Sequence, residues 1–170
     1  MIERIYPTTA IAQCREVNLL MIEDDDIDAT ALKRALHKLK LLNPIYRARD
    51  GLEGIELLRS GQIPTPYIIL LDLNMPRMNG LEFLEELRSD PELTHAIVFV
   101  LTTSKSDEDI LAAYREHVAG YLLKQRMDND FLQVVGLLNH YWRVIEMPNN
   151  LDRSILDPSV LDPSIKGATE

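Results

Sequence analysis

One cysteine, Cys14, is all the chain has, so no internal disulfide can brace it, as suits a reducing compartment. Nowhere does an apolar run approach the ~20 residues of a membrane span. The longest runs, at 67–71 and 96–101, have the length of strands. The opening residues MIERIYPTTAIAQ lack both the basic start and the continuous apolar stretch of a secretory signal. Positive charge is scarce as well: 18 Lys and Arg stand against 27 Asp and Glu, a formal net charge of −9. That balance argues against nucleic acid as the main partner, because phosphate backbones select basic faces. No glycine-rich loop follows the first apolar run, which weakens a nucleotide-binding reading. These absences leave an acidic chain, expected to be soluble and cytoplasmic, whose 170 residues suffice for one domain with short extensions.

What is present is a regular alternation of apolar runs and amphipathic stretches. Residues 17–23 (VNLLMIE) end abruptly in acids, as a buried parallel strand would. A helix follows, with Ile27, Ala31, Ala35 and Leu39 recurring every fourth residue and Leu32 and Leu36 beside them, until Asn43-Pro44 stops it. Residues 45–49 read as a short strand, after which Asp50 caps a helix over 51–59 that Ser60-Gly61 closes. YIILL at 67–71 is the strongest strand. Met75-Pro76 breaks the chain, and a helix starting at 79–82 runs through Leu81, Leu84 and Leu87. A fourth strand covers 96–101, Ser106 with Asp109 resembles a capping box, and 120–123 forms a short fifth strand. The last helix has the clearest period: Phe131, Val134, Val135, Leu138, Trp142 and Ile145.

Five strands alternating with five helices predict a parallel sheet covered on both faces. Right-handed crossovers make that a doubly wound, three-layer α/β/α sandwich. The expected organisation is an extension at 1–15, a domain at 16–147 and a tail at 148–170. The tail carries the pentads LDRSI, LDPSV and LDPSI, whose Pro and Asp content excludes a regular helix. It reads as a loosely ordered segment; the sharper alternative docks Ile155, Val160 and Ile165 onto a partner or a second copy.

In an open parallel sheet, ligands bind beyond the carboxyl ends of the strands. Strand one ends in Glu23-Asp24 with Asp25 and Asp26 following, and strand three ends in Asp72. Taken alone, 23–26 reads as a solvated loop whose last acids favour the next helix N-terminus. Strand four, however, ends in Thr102 and strand five in Lys124. One carboxylate nucleophile, one hydroxyl, one ammonium and an acidic pocket suited to magnesium therefore meet at one edge. A carboxylate can accept a phosphoryl group, and the added charge is then stabilised by the cation, the Thr102 hydroxyl and the Lys124 ammonium. An aspartyl phosphohydrolase would want a second acid where Asn74 stands.

With LLMIEDD at 19–25, LLDLNMPRMNGLEFL at 70–84, VLTTS at 100–104 and GYLLK at 120–124, the sequence resembles the receiver domain of two-component response regulators. The resemblance covers about 17–147 and implies a flavodoxin-like fold with strand order 2-1-3-4-5. It implies that Asp72 is the phosphoacceptor, Asp24 a direct magnesium ligand, Glu23 an acid acting through metal-bound water, and Asn74 a ligand through its backbone carbonyl. Thr102 and Tyr121 would form the switch pair, and Lys124 would bridge Asp72 and the phosphate. One departure stands out: the family's proline after this lysine is Gln125 here, and a cis bond before a non-proline costs ~3 kcal/mol. ARDGLEGIELL at 48–58 and LTTSKSDEDI at 101–110 are similar to small regulators paired with phytochrome-type histidine kinases. That likeness implies a kinase as phosphoryl donor, a downstream phosphotransfer or target protein, and a homodimer through helix 4, strand 5 and helix 5. With 23 residues beyond the last helix, no output domain is expected, and the chain is read as a binding switch rather than an enzyme.

Overall fold

Each short apolar run that ends in polar residues becomes a strand. In the computed structural model, which describes residues 17–38, 42–124 and 136, these are β1 (Asn18–Ile22), β2 (Ile45–Ala48), β3 (Tyr67–Leu71), β4 (Ile97–Thr102) and β5 (Gly120–Leu123). Between them lie α1 (Asp26–Lys38), α2 (Gly51–Arg59), α3 (Gly80–Ser89) and α4 (Asp107–Arg115). All strand pairs are parallel and the order is β2-β1-β3-β4-β5, the doubly wound arrangement expected. The extension at 1–15, the last helix, the Lys124-Gln125 bond and the pentad tail lie outside the described residues.

The two-residue period of the strands divides the core. Leu20 and Ile22 of β1 join Ile69, Leu71, Val98 and Val100 on one face, under Ile55 and Leu58 of α2 and Phe83, Leu84 and Leu87 of α3. Leu19 and Met21 join Ile68, Leu70, Phe99 and Leu101 on the other, against α1. The buried stripe of α1 is Ala29, Leu32, Ala35 and Leu36. Ile27 and Ala31, expected on that stripe, are exposed instead. The i+4 series drifts around a helix of 3.6 residues per turn, and the spacing 29, 32, 35, 36 stays on one face.

Local signals set the element ends. Asp50 accepts a hydrogen bond from the Glu53 amide and caps α2, and Gly61, at φ +69°, turns the chain away after it. Asn79 accepts from the Leu81 and Glu82 amides while the Glu82 carboxylate accepts from the Asn79 amide, a complete capping box for α3. The box expected at α4 is only half made. Ser106 accepts from the Asp109 amide, but the Asp109 carboxylate accepts from the Ser104 hydroxyl at 2.5 Å.

Candidate functional site

The carboxyl ends of β1, β3, β4 and β5 converge, and the expected residues converge with them. Lys124, directly after β5, is 5% exposed, and its ammonium donates to Glu23 Oε2 at 2.6 Å, Asp72 Oδ2 at 2.8 Å and Asp28 Oδ2 at 2.8 Å. Burial pulls the lysine pKa down, but the three carboxylates outweigh it and raise the pKa, so the ammonium stays charged. Glu23 goes the other way: burial lifts its pKa from the ordinary 4.5 to about 7, against the pull of Lys124. Asp28, in the first turn of α1, was not singled out by the sequence reading. Five acids crowd residues 23–28, and only the approach of Lys124 to α1 distinguishes this one.

The four consecutive acids have four different surroundings. Glu23 bonds Lys124 and accepts from the Asp25 amide at 3.2 Å. Asp25 accepts from the Ile27 and Asp28 amides at 2.7 and 2.9 Å and starts α1. Asp26 pairs with Arg47 and Arg49; the hydrogen bond from Arg47, then the two positive charges, hold its pKa below the usual carboxylate range. The Asp24 carboxylate has no hydrogen-bond or ion-pair partner among the described residues and stands with Glu23 and Asp72, one oxygen of each within 4.8 Å of the others. The helix-start reading thus fits Asp25 and Asp26, and the pocket reading fits Glu23 and Asp24.

Three carboxylates so close together repel unless a cation lies among them, and their hard oxygens match a divalent metal. Asn74 enters this region through its amide, which donates to Asp72 Oδ1 at 3.3 Å, and through its side chain, 3.5 Å from Thr102 Oγ1. Thr102 is fully buried, and its hydroxyl also accepts from the Ser104 amide at 3.3 Å. Tyr121 is half-buried and donates its hydroxyl to the Ser104 carbonyl at 3.2 Å, so Thr102 and Tyr121 touch the same short segment. An open cleft of about 470 Å³, lined by Asp24, Asn74, Met75, Pro76 and Asp109 among others, leads to the acids.

The loop carrying Asn74 is fixed from below. Gly80 lies so close to β3 that an added Cβ would come within 2.7 Å of Leu73 Cα, which is why glycine stands there. Arg77, in the left-handed region at φ +65°, pairs with the buried carboxylate of Asp50. The Gly51 amide donates to the Met78 carbonyl at 3.1 Å.

Residues 19–136 match the family model for the response regulator receiver domain. The chain belongs to that family. This receiver is 34% identical over 128 residues to the response regulator Rcp1 of Synechocystis, spanning 73% of this chain and 87% of that protein. It is 35% identical over 127 residues to a probable methanogenesis regulatory protein, FilR2, of Methanothrix harundinacea, spanning 73% and 82%. Among solved structures, the Mn(2+)-bound form of Rcp1 superposes with a TM-score of 0.70 at 32% identity, covering 78% of this receiver and 99% of that chain. The phosphorylated cyanobacterial phytochrome response regulator RcpA follows at 0.68 and 31%, covering 79% and 99%. A relative thus holds a divalent metal, and the carboxylate trio here has the chemistry to hold one. Among the described residues no helix is long and apolar enough to cross a membrane.

Proposed function

We propose that this receiver is a phosphorylation-controlled binding switch with Asp72 as its phosphoacceptor. The observation that carries this reading is the double engagement of Asp72, bonded to the Lys124 ammonium on one side and grouped with Glu23 and Asp24 on the other. The donor is a phosphohistidine of a histidine kinase. Its P–N bond breaks, a bond forms from an Asp72 carboxylate oxygen to phosphorus, and the leaving imidazole nitrogen keeps the electron pair and takes up a proton. Glu23, Asp24, Asp72 and the Asn74 backbone carbonyl would hold Mg2+, which when bound would supply positive charge for the phosphoryl oxygens.

The side chains do the rest. Lys124 keeps Asp72 ionised and then donates to the phosphoryl group. The Thr102 hydroxyl leaves its bond with the Ser104 amide to do the same, and Tyr121, tied to Ser104, changes position with it. The altered surface then recruits a downstream phosphotransfer or target protein. Slow hydrolysis of the acyl phosphate resets the switch. The name of RcpA, a phytochrome response regulator, supports a phytochrome-type kinase as donor. A cytoplasmic setting and a homodimer through α4, β5 and the helix expected after them belong to the same proposal. The working unit is taken as 16–147.

Intact-mass analysis after incubation with phosphoramidate and magnesium tests the reading. A magnesium-dependent gain of one phosphoryl group, absent in Asp72→Asn, is the expected result. No gain in the folded, metal-supplied protein would overturn it.

A further inference from the structure

The acidic pocket depends on how one loop is held, and that loop is held by a residue of β2. Glu23 lies one residue beyond β1, where the strand ladder can no longer dictate its backbone. Its amide donates to the Ala48 carbonyl at 3.0 Å. Its carbonyl accepts from Arg47 Nε at 3.1 Å and Nη2 at 3.0 Å. Nη2 also donates to the Asp24 carbonyl at 3.1 Å, and Nη1 to the Asp26 carboxylate at 2.5 Å. One planar guanidinium therefore takes two successive carbonyls and a carboxylate, leaving the Asp24 side chain as the uncommitted one. Such a fork suits arginine and no other side chain, because its donors lie in one plane at fixed angles.

Arg47 is placed for this by register. It pairs with Met21 across the β1–β2 ladder, two residues before Glu23, and its side chain is 18% exposed. Four carboxylates in a row repel one another, and the guanidinium also places a positive charge against their backbone. It touches none of the three oxygens grouped for a cation.

We infer that Arg47 is a positioning residue for the divalent-metal pocket: it locks the 23–26 backbone so that Glu23 and Asp24 meet Asp72 before any metal arrives. The inference rests on reading Glu23, Asp24 and Asp72 as the metal-holding set. Without Arg47 the loop must be ordered at the expense of metal binding, and partners of this kind typically change metal affinity by ~10–100-fold.

The test is a magnesium titration by calorimetry of the full chain as wild type, Arg47→Met, Arg47→Lys and Asp26→Asn. It is joined by amide hydrogen exchange without metal and phosphorylation by phosphoramidate across magnesium concentrations. Arg47→Met is expected to weaken magnesium ~10–100-fold and to speed exchange at 23–26 while β3 and β4 stay protected. Its phosphorylation rate at saturating magnesium should return to the wild-type value. Arg47→Lys, whose compact ammonium lacks the planar fork, and Asp26→Asn, which keeps the carbonyl grip, should show smaller losses of the same kind. Wild-type affinity and exchange in Arg47→Met would overturn the inference; should that variant unfold, wild-type affinity in both others would do so. No magnesium binding by the wild type would overturn the pocket reading itself, and this inference with it.

Discussion

Lys124 carries more than a phosphate-binding charge. Its ammonium bonds three carboxylates and offsets part of their charge, and two of them, Glu23 and Asp72, are themselves buried. Removing one partner of a buried charge cluster leaves the others uncompensated and typically costs ~3–5 kcal/mol. Lys124→Met should therefore lower the unfolding free energy of the metal-free protein by ~3–5 kcal/mol in urea titrations, and saturating magnesium should restore part of the loss. Glu23 gives the pocket a pH dependence. Its pKa of about 7 in the fold exceeds the ordinary 4.5, so between those values the folded protein holds a proton that the unfolded chain has lost. This group's contribution to stability is therefore full below about 4.5 and fades as pH rises through 7. Magnesium selects the ionised form, so its affinity should fall as pH drops below 7, approaching tenfold per unit. Calorimetry between these pH values checks it; a flat profile would show that Glu23 is already ionised without metal. The acids at the end of β1 were legible in sequence because abrupt charge after an apolar run is conspicuous. Asp28 and Arg47 were not, since each owes its partners to a neighbouring element that local pattern does not reveal.

At the scale of elements, α3 and the loop before it act together. The capping box at Asn79 fixes where the helix begins, and Gly80 fixes how near that beginning lies to β3. Gly80→Ala would press a methyl group into the Leu73 backbone, so the loop carrying Asn74 must shift. Overpacking of this kind costs ~1–3 kcal/mol, and a loss of magnesium affinity should accompany the fall in stability. Urea unfolding with and without magnesium separates the two; loss of stability with unchanged affinity would mean the loop moves independently of the pocket. Most element ends were readable from short-range chemistry: Asp50, Gly61 and Asn79 bond or turn within a few residues. The α4 box misled because the Asp109 carboxylate takes the Ser104 hydroxyl at 2.5 Å in place of the Ser106 amide it was expected to reach. Similarly, Ile27 and Ala31 lie on the wrong side of α1, because spacing by four alone does not define a face over three turns.

The whole molecule is polar in its layout: chemistry at the carboxyl ends of the strands, fastening at the amino ends. Arg88, near the end of α3, donates to the carbonyls of Glu116 at 2.8 Å, Thr94 at 2.6 Å, Ala96 at 2.9 Å and His117 at 3.2 Å. It ties together the turns that lead into β4 and β5. Arg88→Ala would strand several part-buried carbonyls and should destabilise the fold by ~1–3 kcal/mol, with magnesium affinity unchanged. A shift in affinity, read by the same calorimetry, would show that strain crosses the sheet. The parallel order was legible because mostly apolar strands separated by helices admit few topologies, and the right-handed crossover removes most of those. The last helix expected from the sequence lies outside the described residues.

The turn after α2 opens at the fastening end, with Gly61 at φ +69°, nothing near its α-carbon's missing branch, and exposed Gln62 beside it. A peptide grafted between those two residues would extend into solvent from the far side of the sheet. The receiver therefore offers a built-in handle: a fluorescent tag or tether attached there could report on the molecule, or anchor it to a surface, without crowding the edge where phosphate is received.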